Sequence, residues 1–219
     1  MDLPFPFSAR CRKAVTLLAL ACAASACSFH DPNAPTRENL ARVLDETLVT
    51  RGEICLAMFD WPMDLTEAEA GANSRRAVQL PVLERLGIVR SSIVTAAKSK
   101  ANPDGAVKRF ELTDAGRAFY KDHPYTARNG EQHPRDFCVA HVAREKITNV
   151  EVDRRDAQHP QAVVSYTYRI DHAPWLKDAD AQRAFPMLAR VIQGAGGALQ
   201  LRQGFVLGER GWIAQAGPV

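Results

Sequence analysis

The chain has 219 residues, enough for one or two domains. Its 46% hydrophobic and 24% charged residues are ordinary for a globular protein and exclude a disordered tail. The net charge of +3 belongs mostly to the first 26 residues: removing Arg10, Arg12, Lys13 and Asp2 from totals of 28 bases and 25 acids leaves 25 and 24, so the remainder gives no argument for nucleic acid as a partner.

Positive charge fills residues 1–13. Residues 14–24, AVTLLALACAA, are apolar without interruption, and Ser25-Ala26-Cys27 follow. A basic start, a short apolar core and small residues predict a secretory signal over 1–26. The apolar run is shorter than the roughly 20 residues that cross a bilayer as a helix. Ala24-Ser25-Ala26-Cys27 resembles the lipobox of bacterial lipoproteins, with Ala24 where Leu is commoner. Cys22, after Ala19-Leu20-Ala21, fits less well, because bulky Leu20 stands directly before the small residue. The resemblance implies lipid on Cys27, an acylated new N-terminus and attachment to a membrane. Ser28 stands where that family's inner-membrane retention signal has Asp, which implies the outer membrane, facing the periplasm. The alternatives are an ordinary secretory signal cut after Ala26, and a cytosolic protein with a misassigned start. Residues 28–36, SFHDPNAPT, read as the rest of a flexible tether over 27–36.

Of five cysteines, Cys11 and Cys22 leave with the leader and Cys27 takes the lipid. Cys55 and Cys138 remain, and an oxidising compartment favours a disulfide between them over two buried free thiols. Neither lies in a C-x-x-C or a Cys/His cluster, which argues against redox catalysis and structural zinc.

From Thr36, a plausible cap, residues 37–50 place Leu40, Val43, Leu44 and Leu48 at helical spacing, with Gly52 as the stop. Residues 54–59 read as a strand broken by Trp61-Pro62. Thr66 caps a short acidic helix, and 74–86 form the next helix, with Val78, Val82, Leu83 and Leu86 on one inner face, Pro81 expected to kink or restart it and Gly87 to end it. Two β-rich runs follow around Asn102-Pro103-Asp104-Gly105, then a short helix capped by Thr113 or Asp114. LPVLERLGIV (80–89) and FELTDAGRAFY (110–120) resemble the end of the third helix and the wing of a winged-helix domain, over about 37–122. In DNA-binding members that helix enters the major groove, and the matching positions are Ser74, Arg75, Arg76 and Gln79. Outside the cytosol they would meet no DNA, so a solvated polar face is the preferred reading.

Residues 123–136, rich in turn formers, read as a connector. Alternation is clear from Ile147 and over 162–171, where Val164, Tyr166 and Tyr168 share a face. Residues 178–193 are helical around Phe185, Leu188, Ala189 and Ile192, interrupted by Pro186 and ended by Gly194, Gly196 and Gly197. A hairpin closes the chain about Gly208–Gly211. Phe137-Cys138, Ser165–Tyr168, Pro174-Trp175, Ala184–Pro186 and Gly211-Trp212 look like the C-terminal part of bacterial lipoproteins with no assigned activity, which adds no function. The expected fold is α+β: a winged-helix-like N-terminal half, then over 137–219 a small antiparallel sheet with one covering helix.

Six scattered histidines lack ligand spacing, and no G-x-S-x-G is present. Gly194-Ala195-Gly196-Gly197 follows a helix and precedes a strand, the reverse of a phosphate loop. Asp178 and Asp180 suit a helix start and need no cation. Core packing is the preferred reading of Trp61, Trp175 and Trp212. The sequence therefore predicts no catalytic residue, no metal and no cofactor, and a binding module more than an enzyme. Trp61, Arg75, Arg76 and Trp175 are the candidate interaction surface. The expected partners are the membrane, through the lipid, and another envelope protein. A cytosolic winged-helix regulator is the runner-up, and a periplasmic hydrolase with dispersed residues comes third.

Overall fold

The computed structural model describes residues 31–98, 102–103, 105–156 and 158–216. Cys27 and the leader lie outside them, and everything from Pro32 onward forms one unit. Helix α1 (Arg37–Arg51) starts where the Thr36 hydroxyl accepts from the Asn39 N–H at 3.1 Å, a side-chain cap. The chain continues through β1 (Glu53–Cys55), β2 (Met63–Leu65), α2 (Glu67–Gly71), α3 (Arg75–Arg85), β3 (Val89–Thr95), β4 (Ala106–Leu112), α4 (Asp114–Arg117), β5 (Tyr120–Thr126), β6 (Gln132–Asp153) and β7 (Gln161–His172). A 3-10 turn (Pro174–Lys177), α5 (Ala179–Ala184), α6 (Pro186–Gly194), β8 (Leu201–Gly208) and β9 (Gly211–Ala214) complete it.

A six-stranded antiparallel sheet runs in the order β1-β6-β7-β8-β9, with β5 also paired to β6. Val164, Tyr166 and Tyr168 on β7 turn the same buried face inward, as strand alternation dictates. Their cover is α1: Leu40, Leu44 and Leu48 pack into one core with these residues, Phe205 and Trp212. Arg144 of β6 grips Asp45 of α1 with two hydrogen bonds, 2.8 and 2.6 Å. Register shifts of β6 against β1 and β7 mark bulges, which bend a strand and increase its twist. A second sheet, β2-β4-β3, packs Phe110 against Leu80 and Leu83 of α3.

The architecture corrects the expected α+β fold. Among the described residues strand is 41% against 30% helix, so the fold is mostly β, and its N-terminal half is not a winged-helix domain. The reason lies in what each apolar face meets. The leucines of α1 are buried against the large sheet instead of against α2 and α3. The core around α3 takes Phe137, Val139, Leu176, Phe185 and Leu188 from the second half of the chain. Gln79, placed by the winged-helix resemblance on a free helix face, is buried, and its Nε2 donates to the Ala184 carbonyl at 3.3 Å. The main cover of the large sheet is thus the chain's first helix, not the helix between β7 and β8.

Three local readings also change. Residues 123–136, expected as a connector, form most of the β5–β6 hairpin, which turns where Ala127 N–H donates to the Glu131 carbonyl at 2.8 Å. Their polar composition suits an exposed hairpin at the end of a sheet as well as it suits a loop. Helix α3 runs through Pro81 as one element. In place of a free tether, Asn33 is tied down: its carbonyl accepts from the Trp212 indole N–H at 3.1 Å.

Candidate functional site

The candidate site is an apolar groove of about 660 Å³. Its floor is β1 and the residues after it, Ile54 to Ala57. Its walls are α3, through Arg75, Val78 and Gln79, and the α5–α6 segment, through Arg183, Phe185, Met187, Leu188 and Val191. The floor is shaped by Asp136, a buried carboxylate that accepts from the N–H groups of Ala57 (3.2 Å), Met58 (2.9 Å) and Phe137 (2.6 Å). Those bonds hold Ala57 in the left-handed region, φ 56°, and turn the chain away from the sheet after Leu56. One wall meets the other through the Gln79–Ala184 hydrogen bond.

Two large apolar side chains on the walls stand in water, Met187 at 72% exposure and Val78 at 45%. Scattered exposed apolar residues are ordinary, and here two of them stand on one concave apolar surface. Among the described residues the only charged groups in the lining are Arg75 and Arg183. Arg183 is held by Asp180, and Arg75 makes no ion pair among the described residues. Among the described residues no Asp, Glu, His, Ser or Lys lines the groove. What the lining offers is apolar surface beside cationic groups.

The floor carries one sulfur pair. Cys55 and Cys138, opposite each other on β1 and β6, form a disulfide with an S–S distance of 2.00 Å. The other sequence-derived candidates do not converge. Arg75 lines the groove and also a smaller adjoining hollow of about 310 Å³, which it shares with Arg76, Glu69, Ser74 and Met58. Trp61 faces a different cleft of about 450 Å³ with Arg90, Arg117, Tyr120 and Arg135, and its indole N–H donates to the Met58 carbonyl at 3.1 Å. Trp175 packs between Phe119 and Phe185, ring centroids 6.2 and 5.8 Å away, and its buried Nε1–H finds no acceptor among the described residues. Sequence reasoning missed Met187 and read Val78 as an inner-face residue. The only signal for Met187 was its place after a helix-starting proline, which says nothing about which side is covered.

Elsewhere, ligand-type side chains meet in two places. His123 lies near Cys55 and Cys138, whose sulfurs are bonded to each other. His133 is buried in a stack with Phe59 and Tyr125; its Nδ1 is 3.4 Å from Asp60 and its Nε2 3.9 Å from Glu131. The two nitrogens sit on opposite edges of the ring, so a single ion could use only one of them. Burial pushes the Tyr166 phenol up to about 12, aided by Tyr168, and this ring belongs to the core. The glycines after α6 act as a helix end: Gly196 and Gly197 have φ of 69° and 96°, and the Gly196 N–H donates to the Tyr168 carbonyl at 3.0 Å. Among the described residues no helix is long and apolar enough to cross a membrane. Comparison with protein families, curated proteins and solved structures finds no match for the chain.

Proposed function

We propose that this chain is a lipid-anchored protein of a bacterial envelope that works by holding another envelope component in the groove between α3 and α6, without a reaction of its own. The observation that carries the reading is the groove: water-exposed apolar walls, two arginines and no acid–base pair. The location rests on the leader and on Ala24-Ser25-Ala26-Cys27. Ser28 favours the outer membrane.

The anchor and the groove belong to one mechanism. Asn33 is fastened to Trp212 only six positions after Cys27. Six extended residues span about 20 Å, so a lipid on Cys27 would keep the domain within that distance of the membrane surface. Holding a partner close to the bilayer raises its effective concentration there without new contacts.

Two measurements test this. Metabolic labelling with palmitate, followed by fractionation, should place label and protein together in the membrane, and Cys27→Ala should release the chain and lose the label. A photo-crosslinking residue at Met187, in living cells, should give a discrete adduct that the same residue at the exposed Ile93 of β3 does not. An unlabelled, fully soluble chain with Met1 still attached would end the envelope reading. Absence of any adduct at Met187 would end the groove reading.

A further inference from the structure

We infer that the groove takes an extended peptide with alternating apolar side chains and an acidic end, added as a strand to the free edge of β1; this rests on the groove being the binding site. β1 ends the strand order of the large sheet, with no strand on its other side among the described residues. On its inner side the Leu56 N–H donates to the Phe137 carbonyl at 3.0 Å, and Gly52 accepts from the Val142 N–H at 2.8 Å. Gly52, Ile54 and Leu56 therefore face β6, and by strand alternation the backbone groups of Glu53 and Cys55 face away from it. A peptide strand pairing there would lie about 4.8 Å from β1. Every second side chain would then enter the groove between Val78 on one wall and Phe185, Met187, Leu188 on the other.

The charges select the occupant. Among the described residues Arg75 has no ion partner and no acid lines the groove, while Arg183 on the opposite wall is held by Asp180. The one nearby acid on the strand, Glu53, turns its carboxylate to Lys121 (3.3 Å) and His141 (3.7 Å). A carboxylate on the peptide would pair with Arg75, with Arg183 adding to the positive field. A second copy of the chain is the poorer occupant: edge-to-edge pairing about a two-fold axis would bring the same two arginines from each copy together. Because only Glu53 and Cys55 offer outward backbone groups, the short edge would set register while the walls supply most of the affinity.

The test uses the full-length protein in detergent micelles and three fluorescent peptides of the form Glu-Val-Thr-Val-Thr-Val-Glu. One is unmodified, one is N-methylated at the three Val residues, and one at the two Thr residues. In a strand only one of these amide sets faces β1, so one methylated peptide should lose binding while the other keeps it. Replacing both Glu by Lys should weaken binding about tenfold or more, and Arg75→Glu with Arg183→Glu should reverse that preference. Equal binding of the two methylated peptides would overturn strand addition, as would failure of the unmodified peptide to bind. So would self-association abolished by Arg75→Glu. With the Met187 adduct still formed in cells, these failures leave the groove reading intact; without it, both readings fall.

Discussion

The Cys55–Cys138 bridge offers the sharpest test of how this chain is held together. It joins residues 83 apart in sequence. In the chain-entropy model, closing a loop of that length removes about 15 cal/mol/K from the unfolded ensemble, or about 4–5 kcal/mol at room temperature. The native state should change little when the bridge is removed, because β1 remains paired to β6 through the bonds at Gly52 and Leu56. The double variant Cys55→Ala, Cys138→Ala should therefore lose about 4–5 kcal/mol, a large part of a typical domain's stability. Its denaturant slope should rise, because an uncrosslinked unfolded chain exposes more surface. Urea unfolding followed by tryptophan fluorescence, with and without dithiothreitol, measures both quantities. The wild type in reductant should approach the variant, and the variant should ignore reductant. A loss below about 1 kcal/mol would refute the argument, as would thiols in the purified protein that label fully without reductant.

Other outcomes follow from single contacts. A Cβ on Gly116 would lie 2.1 Å from the Ile88 carbonyl oxygen, which already accepts from the Thr113 N–H and hydroxyl, so Gly116→Ala should destabilise by about 1–3 kcal/mol. Gly71→Ala, at the end of α2 with nothing within 4 Å, should be neutral or gain up to about 1 kcal/mol, and thermal melts of the two variants separate them. The hydrogen bonds from Arg109 hold the Asp64 carboxyl below its ordinary range, against partial desolvation. A depressed folded-state value means that this stabilisation is fully present above the unfolded carboxyl's range and is lost as pH falls through the folded one. Asp64→Asn should flatten the acid side of the stability profile, by an amount that salt reduces because the pair is partly exposed. Tyr166 has the opposite sign: its raised phenol stabilises the fold below about pH 10, and that contribution is lost as pH rises towards 12. Burial raises the Tyr120 and Tyr168 phenols as well, so an alkaline titration of phenolate absorbance should show several late rings, and Tyr166→Phe should remove one of them.

Much of the local structure was legible from residue order. Thr36, Thr66 and Ser74 each accept a backbone N–H at the helix start. The alternation of Val164, Tyr166 and Tyr168 named a buried strand face. The stretch from Phe137 to Ala140 was harder, because all four residues are buried and a strand covered on both faces loses its alternation. The same limit hid the site. Val78 recurs with Val82 and Leu86 along α3, whereas the buried residues are Gln79, Leu80 and Leu83, and Arg75 and Arg76 look equivalent on paper. Only the arrival of the α5–α6 segment beside α3 puts Arg75 in the groove, and only that arrangement leaves Val78 and Met187 in water.

The chain's sequence determined where most helices begin and which residues are apolar enough to be core. These are matters of neighbouring residues: a cap needs its donor three positions on, and a stripe needs a period. Tertiary structure alone decided that α1 covers a sheet made a hundred residues later and that the two halves share their cores. It alone decided that β1 ends a sheet with its outer edge beside an apolar groove. An apolar face is satisfied by any partner of suitable shape, so its pattern records the need for burial and not the identity of what buries it.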